Sequence, residues 1–283
     1  MFEQSAMAYA DRPGGGRGTR AASMCRTHAK RVGFTLLELL IVIGIIAILA
    51  SLSLPAIRGL GKANLTAAAN RQILDDLSHA RLRAINERST VYMVFVPTNL
   101  FNWMATEQPK SKELRYMTNL IPAQYAGYAL VSSRTVGDQP GQPHPHYLTE
   151  WRTLPEGMIF APFKYYTNGI PASILQDEYR RPFQYRPFIP FPRTRSQPRD
   201  QTFQLPYIAF NPEGQLVGQR DELIAMVRAS IFFPRNSDGT YRREPADVQL
   251  TPPKSDPYDT NDVQFVRVNW LTGRARPEMP EFK

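Results

Sequence analysis

The sequence predicts an α+β protein in which one long N-terminal helix packs on the antiparallel sheets of a C-terminal head. Three observations carry this prediction. Residues 34–57 read "FTLLELLIVIGIIAILASLSLPAI", with Glu38 as the one charged residue. Residues 64–89 then repeat apolar side chains every three or four positions, the period of an amphipathic helix. From residue 91 on, short β-branched and aromatic runs alternate with turn residues, and most of the 25 prolines lie there, which argues for strands and long loops over helices.

The apolar run comes first in the chain. Its 24 residues make a helix of roughly 36 Å at ~1.5 Å per residue, enough to cross a bilayer's hydrocarbon core. Arg26, Lys30 and Arg31 precede it and favour a cytoplasmic N-terminus. Arg58 and Lys62 follow it and blunt that asymmetry. A cleavable signal peptide fits poorly. The run exceeds the usual apolar core of about 7–15 residues, it holds a carboxylate, and its small-x-small site, Ser51 and Ser53, lies deep inside. A plain single-pass anchor leaves Glu38 unexplained, since a charge at the centre of a span costs on the order of 2.5–3.5 kcal/mol.

The chain has 283 residues, room for such a segment and one domain with a real core. Its 34 Lys and Arg against 25 Asp and Glu give a net charge of +9, of which +4 falls in the first 33 residues and +5 in the rest. That distribution weakens the case for nucleic acid as the general partner. The single cysteine, Cys25, lies before the apolar run, so the head has no disulfide and no thiolate metal site.

The stretch "GFTLLELLIVIGIIAILASLSLP" resembles the N-terminus of type IV prepilins and type II secretion pseudopilins. The match runs through Gly33, Phe34, Thr35, Leu36, Leu37 and Glu38, and Pro55 stands where many members carry a helix-bending proline. The resemblance implies a pilin-like fold with four segments. These are a cleaved leader (1–33), a transmembrane half-helix (34–57), an amphipathic half-helix (58–90) bent from the first at Pro55, and an extracytoplasmic head (91–283). It also implies that an inner-membrane prepilin peptidase and methyltransferase cuts between Gly33 and Phe34 and methylates the Phe34 amine. Glu38 would then neutralise the terminal amine of a neighbouring subunit, two charges satisfying each other in lipid. The plainer reading is that Glu38 sits in the first turn of a helix and complements its dipole. A 33-residue leader is long for the family; Met24 would open a ten-residue one, "MCRTHAKRVG".

In the second half-helix, Ile73, Leu77, Ala80 and Ala84 define the apolar stripe with Leu74 and Ile85, while Asp75, Asp76, Arg83 and Glu87 fall largely elsewhere. The helix ends near Ser89, where "TVYMVFV" reads as a strand. This junction, with "IAFNPEGQL" and "TGRAR" further on, resembles the H-type minor pseudopilins and FimT-like minor pilins. Strands are expected at 91–96, 127–133, 151–160, 206–210, 223–233 and 263–270. Insertions at about 99–119 and 170–200 are long for that family. The second interleaves Arg180, Arg181, Arg186, Arg193, Arg195 and Arg199 with aromatic rings and prolines. It reads either as a loop burying its own rings over the head, or as a docking surface for a protein or, with less support, for nucleic acid.

No catalytic residues, cofactor or metal are expected. His144 and His146 in "QPHPHY" lack a nearby cysteine or acidic residue in the sequence. The acidic stretch 255–263 lacks the spacing of a calcium loop, and phosphate loops, nucleophile elbows and zinc helices are missing. The resemblance implies a structural subunit, a minor pseudopilin of a type II secretion filament, anchored in the inner membrane among other pseudopilins or pilins. The alternatives are a pilus subunit binding DNA through Arg274 and Arg276 of a Gly-Arg-x-Arg pattern, or a lineage-specific prepilin-like protein.

Overall fold

The computed structural model describes residues 35–106, 111–134, 137–138, 144–166, 169–186, 189–194, 204–242 and 244–279, without the side chains of 52–63, 106 and 111. The chain divides into two units between Leu54 and Pro55. Helix α1 (Leu36–Glu87) is assigned without a break through Pro55, so the proline does not end it. The side chain of Pro55 lies outside the described residues. Among the described residues no helix is long and apolar enough to cross a membrane.

The second unit is α+β. Strand β1 (Val91–Phe95) follows α1 directly. Helices α2 (Leu100–Thr106) and α3 (Ser111–Leu120) come next, then β2 (Gly127–Ser132), β3 (His146–Tyr147), β4 (Arg152–Thr153) and β5 (Met158–Phe160). Helix α4 (Ala172–Gln176), β6 (Gln184–Arg186), β7 (Leu205–Phe210), β8 (Glu222–Phe232), β9 (Asp247–Leu250), β10 (Gln264–Val268) and β11 (Ala275–Glu278) complete it. One sheet has the order β3-β2-β1-β7-β6, with β4 also on β2; the other has the order β11-β10-β8-β5, with β9 also on β8. Every described pairing is antiparallel.

Ala69, Ile73, Leu77, Ala80 and Ala84 of α1 are fully buried, the stripe expected from their spacing. They share a core with Val91, Met93 and Phe95 of β1 and with Phe160, Ile224, Met226 and Val266 of the second sheet. The alternate residues of β1, Tyr92 and Val94, face the opposite way into a core with Leu100, Met117 and Phe191. A strand covered on both faces has no polar side, which is why "VYMVF" is apolar throughout. A third cluster, on the other face of the second sheet, holds Phe163, Leu223 and Phe265.

Three expectations are corrected. The single strand expected over 151–160 is two, in different sheets, because Pro155 and Gly157 (φ +88°) turn the chain between β4 and β5. The 99–119 insertion carries α2 and α3, and Met117 and Leu120 bury the face by which α3 packs. Asp76, expected off the buried face, is 5% exposed.

Candidate functional site

The residues around Glu38 build a helix start. The Thr35 side-chain oxygen accepts the Glu38 backbone N–H at 3.2 Å, and the Thr35 carbonyl accepts the Leu39 N–H at 3.1 Å. Thr35 is thus the N-cap and Glu38 the third helical residue, the spacing of a capping box, with the carboxylate in the first turn where the helix dipole favours it. From Leu36 to Leu49 every large apolar side chain is exposed, from 40% at Val42 to 84% at Leu36. Each is worth roughly 1.5–3 kcal/mol when removed from water, so this half-helix is built for a medium other than water. Gly33 and Phe34, the expected cleavage and methylation positions, lie outside the described residues.

In the head, the Gly-Arg-x-Arg pattern falls on the turn into β11. Gly273 has φ +62°, and a Cβ there would lie 1.9 Å from the Gly214 carbonyl oxygen. Arg81 of α1 donates from Nε to Thr272 O at 2.8 Å and Gly214 O at 3.3 Å, tying this turn and the "NPEGQ" turn to the helix. The glycine is thus explained by packing alone. Arg274 is exposed, whereas Arg276 is 72% exposed in its side chain and lies 3.6 Å from Glu278. Opposite Arg276 on β10 stands Arg267, which pairs with Glu178, Asp221 and Glu278. Cations and carboxylates are close to balanced on this face.

The described rings of the second insertion are used internally. Phe183 stacks on Phe95 at 4.2 Å, and Phe191 meets Trp103 and Trp151 edge to face. Tyr185 donates its hydroxyl to Tyr165 O at 2.9 Å. Arg180 pairs with Asp177 at 3.4 Å, and Arg193 with Glu113 at 3.2 Å over the Tyr116 ring. Arg186 lies over Tyr92, its guanidinium 4.8 Å from the ring centre. Arg181 donates from Nε to Leu175 O at 3.3 Å. Arg195 and Arg199 fall outside the described residues.

His144 does have an acidic neighbour: Asp138 Oδ1 is 3.1 Å from its Nδ1. In the acidic loop, the Lys254 ammonium donates to the carbonyls of Asp259, at 3.1 Å, and Asn261, and lies 3.7 Å from the Asp259 carboxylate. The loop's oxygens thus converge on an internal cation. Among the described residues no group of three or more His, Cys, Asp or Glu is placed to hold a metal ion.

Two polar clusters were not foreseen. Tyr128 donates to Asp76 Oδ2 at 2.6 Å and accepts from Gln72 Nε2 at 2.8 Å, while Arg152 bonds the other Asp76 oxygen. Burial, then the Asp76 contact, pushes the Tyr128 hydroxyl well above its ordinary range. Lys164, fully buried, donates to Glu222 Oε1 at 2.9 Å and to Arg181 O at 2.6 Å. Burial pulls its pKa down, opposed by Glu222. No local spacing pairs Asp76 with Tyr128 or Lys164 with Glu222; only the fold brings them together.

Residues 30–54 match the family model described as the prokaryotic N-terminal methylation motif. No curated protein and no solved structure matches the chain. The matched residues include the capped helix start, Glu38 and the exposed apolar half-helix: this chain carries, at residues 30–54, the prokaryotic N-terminal methylation motif, in line with the resemblance to type IV prepilins and pseudopilins.

Proposed function

We propose that this protein is a minor pseudopilin, a structural subunit of the short filament of a type II secretion system and not an enzyme. In this reading residues 34–57 anchor it in the inner membrane with the head on the far side. A prepilin peptidase removes the leader after Gly33 and methylates Phe34. Glu38 then meets the amine of a neighbouring subunit as the apolar half-helices gather in the filament core.

One observation carries the reading: the matched motif coincides with a half-helix whose large apolar side chains are all exposed and whose one carboxylate stands in its first turn. Such a surface asks for lipid or for other helices. The DNA-binding alternative has less support, since Arg276 shares Glu278 and Gly273 is accounted for by the Gly214 turn.

The test is co-expression with a prepilin peptidase, followed by mass analysis of the N-terminus. The expected product begins at N-methylated Phe34. Gly33→Ala is expected to block cleavage, while Glu38→Ala is cleaved but fails to join filaments. A precursor left intact beside an active peptidase would refute the reading, and normal incorporation of Glu38→Ala would refute the pairing.

A further inference from the structure

Between the second insertion and the turn that leads into β8 lies a cleft of about 340 Å³, lined by Tyr166, Leu175, Arg181, Gln184, Tyr185 and Arg220. Its polar groups are held as donors. The Arg181 carbonyl accepts from the buried Lys164 at 2.6 Å and its Nε donates to Leu175 O, which fixes a cationic residue in the wall of the cleft. The Gln184 side-chain oxygen accepts from Tyr207 at 3.2 Å, so its amide N–H groups remain to donate. Arg220 is exposed beside them.

The nearby carboxylates are engaged elsewhere. Glu222 holds Lys164, Asp177 pairs with Arg180, and Asp221 and Glu178 pair with Arg267. The Glu178 carboxyl is lowered first by Arg267, with Arg181 the last of the contributing groups. Among the described residues these carboxylates each pair with another cation, so Arg181 and Arg220 leave the cleft with an excess of positive charge.

We infer that this cleft is a docking site for a carboxylate side chain on an acidic segment of a neighbouring filament subunit. Two guanidinium-bearing residues and an amide lining one open cleft suit a carboxylate, which accepts several charge-assisted hydrogen bonds at once. Leu175, 47% exposed, offers apolar surface at the same cleft for the residue beside the acid. A nucleic acid fits less well. Stacking needs free ring faces and a run of phosphate contacts, but Tyr166 packs against Tyr258 and the Tyr185 hydroxyl is bound to Tyr165 O. The identity of the donor rests on the filament reading; the chemistry of the cleft does not.

The full chain in nonionic micelles is titrated against a labelled peptide of alternating Glu and Leu, against its Gln-for-Glu counterpart, and against a labelled DNA duplex, with anisotropy as the readout. The acidic peptide is expected to bind and the Gln peptide is not. Arg181→Gln with Arg220→Gln should weaken binding at least about tenfold, Arg181→Lys with Arg220→Lys less so, and added salt should weaken it further. Unchanged melting of the variants confirms that they fold. Binding of the acidic peptide within about twofold in the double Gln variant overturns the proposal, as does failure of the parent to bind it, whether or not the duplex binds. Micellar protein needs no assembly, so a negative result bears on the cleft and leaves the filament reading to its own test.

Discussion

The Lys164 ammonium lies 2.9 Å from Glu222 Oε1 with its side chain fully withdrawn from water, joining the segment after β5 to the start of β8. Removing one partner strands the other charge in the interior, a loss of about 3–5 kcal/mol, whereas replacing both with apolar groups is often near neutral. Lys164→Met is therefore expected to lower the melting temperature sharply, and Lys164→Met with Glu222→Met to recover most of it. Equal losses in the single and double variants would contradict this account.

The Asp76 cluster separates a buried bond from a half-exposed one. Tyr128→Phe keeps the ring against Phe160 but leaves Asp76 without its hydroxyl donor, a cost of about 1–3 kcal/mol. The Arg152 side chain is 48% exposed, and screening by solvent should hold its coupling to Asp76 below about 1 kcal/mol. Double-mutant cycles measured by denaturant unfolding should rank the tyrosine coupling above the arginine coupling; the reverse order would sink the argument.

High pH should unfold the head. Burial raises the hydroxyl pKa values of Tyr128, Tyr147, Tyr165 and Tyr185 above the ordinary value near 10. With the folded values raised, their contribution is complete below pH ~10 and is lost as pH climbs toward the folded values, where the unfolded chain binds fewer protons. Lys164, lowered by burial, acts in the opposite direction, but it is one group against four. Tyrosinate absorbance is expected to lag below its free-tyrosine curve and then rise together with the loss of circular dichroism.

At the turn into β11, Gly273→Ala places a Cβ on the Gly214 carbonyl oxygen at a positive φ and should cost more than about 2 kcal/mol. Arg274→Ala, at an exposed position, should stay within about 0.5 kcal/mol of the parent. Thermal melts of the two variants test whether the glycine serves packing and the arginine does not.

Lys254 gives a metal test. Because its ammonium already holds the carbonyls of Asp259 and Asn261, a chelator should leave the parent's melting temperature unchanged, and Lys254→Met should lower it. A fall in the parent on chelation would assign the loop to a metal ion instead.

What could be read without the fold is local. Thr35 and Glu38 are three residues apart, the apolar run is continuous, and Ile73, Leu77, Ala80 and Ala84 recur at helical spacing. Each pattern acts within a few turns of one helix, so the sequence alone determined the methylation motif, the long helix and its buried face. The three-residue spacing of Thr35 and Glu38 is itself that of a capping box. Tertiary structure decided the rest, because those contacts join residues far apart in the chain. Pro155 and Gly157 send β4 and β5 to different sheets, and Asp76 is buried because Tyr128 comes to meet it. Glu222, Arg181 and Arg220 gather around Lys164 although they come from separate segments of the chain. Periodicity reports which face of an element is apolar, but only the packed fold sets which charges meet and which are left to bind something else.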